Sequence, residues 1–325
     1  MSILIAQHAA AADDNKRLEA IVNIFDEVGV LTPPGHFVVE PSFQYAHSSA
    51  TTVAIEGFTI IPAIVIGLVN LEELQRDTYT AAVGVRYGIS SRWEVEAKFP
   101  YVYREEEIRG RRILEGSPIN LLFDSNGSGM GDAELAVHYQ INSASATEPV
   151  YIANFRYKTT TGDGPYEVKR ELIRTDDGTP IAVLPREQPT GSGFDAYQIS
   201  LTGILPAEPA AIYGNISYLK NGSDTVEELG KVTPGDNYGL SFGVGIALND
   251  KSSISFGYDH TVVEKTDIEN DVGLEPSFDR LHVGNFLVGF SYAISPKTAF
   301  NVSLGIGVTD DASDVSLNFR MPMSF

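Results

Sequence analysis

The sequence predicts an all-β fold, a transmembrane antiparallel β-barrel of about twelve strands with a short N-terminal α-helix, and three observations carry that prediction. Apolar and polar residues alternate with period two in many separate stretches. The connections between those stretches are short and long by turns. The chain ends on Phe325, with Met323, Met321, Phe319 and Leu317 at every second position before it.

The alternation is clearest from Trp93 to Tyr103. One face carries Trp93, Val95, Ala97, Phe99, Tyr101 and Tyr103, and the other Arg92, Glu94, Glu96, Lys98 and Arg104. A single such strand fits a soluble sandwich as well as a barrel. The set separates the two, because stretches of roughly ten residues recur with aromatics at their ends, as interfacial girdles require. In chain order the outward residues begin Phe37 to Tyr45, Tyr79 to Tyr87 and Trp93 to Tyr103, then Ala133 to Ile141 and Tyr151 to Tyr157. Tyr197 to Leu205, Ile212 to Tyr218, Tyr238 to Leu248 and Ile254 to Tyr258 follow. Phe286 to Tyr292, Phe300 to Val308 and Val315 to Phe325 complete twelve strands.

Short turns fall near Ser90, Ser143 to Ala146, Pro206 to Pro209, Asn249 to Lys251 and Ser295 to Lys297. Long polar segments run from Glu105 to Met130, Thr160 to Gly193, Asn221 to Gly235 and Glu264 to Asp279, and the charge run Glu105 to Arg112 reads as a solvated extracellular loop. Short periplasmic turns and long extracellular loops are the barrel pattern, and closure removes the open edges a lone sheet would expose. The terminal Phe319, Met321, Met323 and Phe325 read as the signal taken up by the outer-membrane insertion machinery, which places the chain in the bacterial outer membrane with the lipid bilayer as a partner.

Composition narrows the alternatives. A transmembrane helix needs about 20 consecutive apolar residues; the best run, Phe58 to Val69, is shorter and contains Pro62. There is no cysteine, so disulfides and thiolate chemistry are excluded, and a net charge of −20 argues against nucleic acid as a partner. Met1 to Ala12 lacks a basic leader pattern, so the expectation is a mature chain or a fragment.

Residues 1–34 form the expected N-terminal segment and 35–325 the barrel. Within the first, 13–28 has helical period: Leu18, Ile21, Val22, Phe25 and Val28 share one face, Asp13 and Asp14 suit the helix N-terminus, and Gly29 suits its stop. Pro33, Pro34 and Gly35 then form a stiff hinge into the first strand. Such a helix is about 24 Å long and about 10–12 Å wide. Three placements fit it: a plug in the lumen, a position beneath the barrel, or the end of a coiled coil, since the same residues obey heptad spacing.

The inward residues divide into two walls. Arg92, Glu94, Glu96, Lys98, Asp132, Glu134, His138, Arg156 and Lys158 make one charged, whereas Gly239, Gly243, Gly245, Gly257 and Gly305, with neighbouring serines, make the other smooth. A smooth wall lets an amphipathic helix pack closely and favours the plug; inward glycines that merely permit tight curvature are the equal alternative.

The Gly129-Met130-Gly131-Asp132 run, the Pro189-Thr190-Gly191-Ser192-Gly193 run and the terminal Phe325 resemble outer-membrane channels related to the aromatic-compound transporters. The helix followed by Pro33-Pro34-Gly35 and the Phe37 strand more closely resembles the secretion channel of the functional-amyloid (Fap) system. That resemblance implies a homotrimer, a helical gate inside a twelve-stranded barrel, and unfolded amyloid subunits as cargo for biofilm fibres. The coiled coil it also implies is missing from this sequence, so a truncated chain is expected. The alternative expectation is a passive transporter for small hydrophobic or aromatic compounds, which calls for an apolar lining where the inward set reads as polar and small, Tyr213 excepted.

No reaction is expected. Gly127, Gly129 and Gly131 imitate a dinucleotide-binding run, but a strand and not a helix follows, and the six histidines lack metal-ligand spacing, so neither cofactor nor metal is called for.

Overall fold

In the computed structural model the described residues are 31–49, 66–67, 70–114, 117–143, 148–174, 178, 180–207, 209–226, 230–269 and 280–325. The expected helix at 13–28 lies outside them. Twelve antiparallel staves close into a barrel. They are β1 Phe37–Ser48, β2 Asn70–Ser90, β3 Trp93–Leu114, β4 in two pieces (Ser117–Met130 and Glu134–Gln140), β5 Val150–Lys158 and β6 Ala196–Ala207. Then come β7 Ala210–Asn221, β8 Asn237–Ala247, β9 Ser252–Val263, β10 Leu281–Ser295, β11 Thr298–Gly307 and β12, again in two pieces, Val315–Arg320 and Met323–Ser324. Each stave pairs with the next in sequence, and the seam is β12 on β1, from Ser42↔Arg320 to His47↔Val315. Pro322 divides β12, yet the last residue still joins: Phe325 donates its N–H to the Phe37 carbonyl at 2.9 Å and their rings stack 5.1 Å apart.

Period two decides which way every side chain points. Phe43, Val83, Phe99, Phe155, Ile199, Ile216, Leu240, Phe242, Phe286 and Phe290 stand exposed on the outside. A belt of this kind is stable only against hydrocarbon, where each covered side chain contributes roughly 1.5–3 kcal/mol. Aromatic rings bound it at both rims: Trp93 and Tyr139 lie 4.5 Å apart at one, and the cross-strand neighbours Tyr45, Tyr79 and Tyr103 lie 5.1 and 5.9 Å apart at the other. Ten residue steps separate Trp93 from Tyr103; at about 3.3 Å per residue and a tilt near 40° that is about 25 Å of height, the thickness of such a belt.

The short turns near Ser90, Pro206 to Pro209, Asn249 to Lys251 and Ser295 to Lys297 fall where the sequence places them, and residues 144–146 of the remaining one lie outside the described residues. One long segment does not form as expected: Glu105 to Leu114 and Ser117 to Met130 are no loop but the extended β3 and the first piece of β4, paired from Tyr101↔Met130 to Leu114↔Ser117. The charge run therefore alternates as a strand, and Glu106 is turned inward and buried, not solvated. Between the pieces of β4, Gly131 to Ala133 oppose only Phe99 and Pro100, an extra residue that forms a bulge and turns Asp132 into the barrel. Beyond β5 and β7, short strands form two small sheets separate from the barrel sheet. Arg170–Arg174 pairs with Pro180–Pro185, which also meets Ile66–Gly67, and Asp224–Val226 pairs with Gly230–Thr233, which meets Asp267–Glu269.

Candidate functional site: the barrel lumen

The charged wall neutralises itself. Arg86 Nη2 reaches Glu40 at 3.0 Å, Arg156 reaches Glu134 at 3.5 Å, and Lys158 Nζ reaches Asp132 at 3.2 Å. His138 meets Glu96 at 3.3 Å through Nε2 and Asn154 at 2.8 Å through Nδ1. Polar contacts continue across the inner wall, from Asn154 Nδ2 to the Ser200 and Thr202 hydroxyls and from Asn215 Nδ2 to Thr202 at 2.7 Å. Lys98 lies in register opposite Glu134. Arg92 is at the rim instead of along the wall, exposed in the β2–β3 turn and donating to Ser143 of the next turn.

The glycine wall is tightly filled by its own neighbours. A Cβ on Gly243 or Gly257 would stand 2.4 or 2.3 Å from the Tyr213 hydroxyl, so this tyrosine lies across β8 and β9 in a slot made by the two missing side chains. Gly239 and Gly305 similarly make room for the hydroxyls of Ser217 and Ser316. Gly245 is in register with Ala211 and Ser255. Accommodation of adjacent side chains thus explains Gly239, Gly243, Gly257 and Gly305, a role that neither a helix bed nor curvature alone anticipates.

At the short-turn end the chain enters across the mouth. Gly35, at φ 77°, turns the segment and donates to the Gly88 carbonyl at 2.9 Å, and a Cβ on Gly88 would strike the Thr32 and Pro33 carbonyl oxygens. Thr32 is buried and donates its N–H to Glu94 Oε2 at 2.7 Å, so Glu94 serves as an anchor for this segment. Leu31 packs against an inward apolar group of Val150, Ile152, Ile204 and Ala211, with Tyr213 and Ala247 beside it. That group lies on β5 to β7, across the barrel from β1. The expectation that the inward set is polar and small fails here. Alternation lapses in Val150-Tyr151-Ile152-Ala153 and in Ile204-Leu205, which was the readable sign of a wall apolar on both faces.

At the long-loop end residues 187–192 lie against the inward residues of β3 and β4. Arg104 Nη1 donates to the Pro189 carbonyl at 2.6 Å, and the Gln188 side chain donates to Glu106 at 3.1 Å and Ser125 at 2.8 Å. Arg76 Nε donates to Glu106 at 2.7 Å beneath it. Asp132 is the clasp: it accepts from the N–H groups of Gly162 at 3.1 Å and Ser192 at 2.8 Å while pairing with Lys158. The glycine run that imitates a nucleotide loop finds its use here, since a Cβ on Gly127 would stand 2.0 Å from the Gln188 carbonyl and Gly131 lies under Thr190. Gln188, Thr190 and Ser192 are buried by this packing, and no periodicity within a long polar loop could have singled them out.

No family model matches the chain. An outer-membrane channel from Pseudomonas putida F1 superposes with a TM-score of 0.60 at 16% identity, over 90% of this chain and 97% of that one. The translocator domain of the autotransporter NalP from Neisseria meningitidis gives 0.46 at 11% identity over 98% and 97%, and the toluene transporter TodX of P. putida 0.41 at 10% over 90% of each. The likeness to the first is one of fold. Together with the apolar belt and its two girdles, it gives this chain the architecture of an outer-membrane channel and a place in the bacterial outer membrane.

Proposed function

We propose that the protein is a passive outer-membrane channel for small compounds with an apolar body, closed at its periplasmic end by its own N-terminal segment. The observation that carries the reading is the inward apolar group of Val150, Ile152, Ile204 and Ala211, directly followed along β5 to β7 by the polar tier of Asn154, Thr202 and Asn215. An apolar body meets the first tier while its polar substituent meets the second. Residues 187–192, laid along the inner wall, also favour small solutes, because a polypeptide in transit needs more of the cross-section.

The gate is assigned to Leu18, Ile21, Val22, Phe25 and Val28, hinged at Gly29, Pro33, Pro34 and Gly35. Support comes from Thr32 and Leu31, which bring the chain inside the mouth and against the opposite wall before residue 30 is reached. Export of unfolded amyloid subunits by a homotrimer, the function implied by the Fap resemblance, is the second reading. The ladder of ion pairs favours it to the extent that a wet, self-neutralised wall suits an extended chain.

Uptake of toluene into proteoliposomes should be saturable, and deletion of residues 1–30 should convert weak, fitful conductance in planar bilayers into a stable, larger pore. Saturation absent from both forms of the protein would reject the small-solute reading. Conductance unchanged by the deletion and by the I21D/F25D double variant would place the gate elsewhere.

A further inference from the structure

The segments that follow β5 and β7 line an open cavity of about 460 Å³, within the range of small-molecule sites. Its lining includes Tyr166, Val168, Arg170, Phe194, Asp224 and Val226. The base is well built: Phe194 and Val232 are buried, Tyr166, Val226 and Ile268 pack on them, and the Tyr166 ring stands edge-on to Phe194 at 6.3 Å and 86°. The Arg170 guanidinium lies over the Tyr166 ring, 5.9 Å from its centre.

One atom in this lining is unsatisfied. The Tyr166 hydroxyl is buried and has no hydrogen-bond partner among the described residues. A buried orphan donor costs about 1–3 kcal/mol, a cost that an acceptor reaching it from the cavity would remove. Burial pushes its pKa up to about 12, which keeps it a donor at all physiological pH. The carboxylates nearby are engaged locally: Glu167 accepts from the Gly164 N–H at 2.8 Å and Asp224 from the Thr225 N–H at 2.7 Å.

We infer that this cavity captures small ring-bearing carboxylates, the ring lying among Tyr166, Val168, Phe194 and Val226 and the carboxylate accepting from the Tyr166 hydroxyl and meeting Arg170. The inference rests on the small-solute reading and names a substrate class for it. Position supports the link: Ser192, bonded to Asp132 in the lumen wall, stands two residues before Phe194, so the cavity floor and the lumen lining belong to one segment.

The test is calorimetric titration of the full chain in detergent with benzoate, and with toluene as a ring without an acceptor. Benzoate should bind saturably. Y166F, which keeps the ring, should weaken benzoate about tenfold, the equivalent of about 1.4 kcal/mol for one hydrogen bond to a charged acceptor, and leave toluene unchanged. R170M should erase the preference for benzoate over toluene. No saturable benzoate binding, or binding indifferent to both substitutions in protein that still shows the heat-modifiable mobility of a folded barrel, overturns the site. Benzoate that binds as expected without any solute crossing proteoliposomes leaves the cavity standing and rejects the channel reading instead.

Discussion

The two walls of the lumen are written in the same alternating code and use it differently. On β1 to β5 the inward positions carry Glu40, Arg86, Glu96, His138, Glu134, Arg156, Asp132 and Lys158, paired at 3.0–3.5 Å. On β8 to β12 glycine and serine predominate among them, and the space at the glycines is taken by Tyr213 and by hydroxyls from the adjoining strand. The first wall is held by electrostatics whose worth depends on burial, the second by close packing whose worth depends on missing atoms. An inward residue in a barrel is therefore not defined by polarity alone. What matters is which neighbour crosses its stave.

Three substitutions probe that contrast, in descending order of effect. K158M should be the most damaging, because Lys158 and Asp132 are both buried and removing one leaves an uncompensated charge beneath Gly162 and Ser192. A loss of about 3–5 kcal/mol is expected in urea unfolding from detergent micelles. A loss under ~1 kcal/mol would mean that the N–H groups of Gly162 and Ser192 suffice to hold Asp132.

G257V tests the packed wall. The new side chain meets the Tyr213 hydroxyl, and overpacking of this sort costs about 1–3 kcal/mol. Adding Y213A should recover most of it, since the obstacle is removed along with the clash. A double variant no better than the single would show that curvature, not Tyr213, requires the glycine.

R86A should be nearly silent in stability, within about 1 kcal/mol, since its partner Glu40 is only partly buried and can be rehydrated from the lumen. The informative readout is reversal potential across a salt gradient, measured without residues 1–30. Losing one fixed cation beside Glu40 and Glu96 should move selectivity toward cations, and an unchanged potential would place the current's path away from this wall.

The barrel was legible because period two is a local property. Each strand announces which residues face hydrocarbon, and every one of the twelve outward series reappears as an exposed belt or girdle. Asp132, Glu134, His138, Arg156 and Lys158 were legible as inward for the same reason. Less accessible were Glu105 to Met130, whose charges disguise a paired hairpin above the membrane, and Gln188, Thr190 and Ser192, whose partners lie far along the chain.

By itself, then, the sequence determined strand number, order, facing and the closing residue Phe325, since backbone pairing in a membrane leaves a closed antiparallel sheet as the solution for so many alternating segments. Only the tertiary structure decided who meets whom inside: Tyr213 over Gly243 and Gly257, Thr32 on Glu94, Leu31 among Val150, Ile152 and Ile204, and Gly162 and Ser192 clasped by Asp132. Those contacts depend on shear, on a one-residue bulge at Gly131 to Ala133, and on distances across a closed ring. None of these is encoded in the spacing of neighbouring residues, because each is set by the geometry of all twelve strands at once.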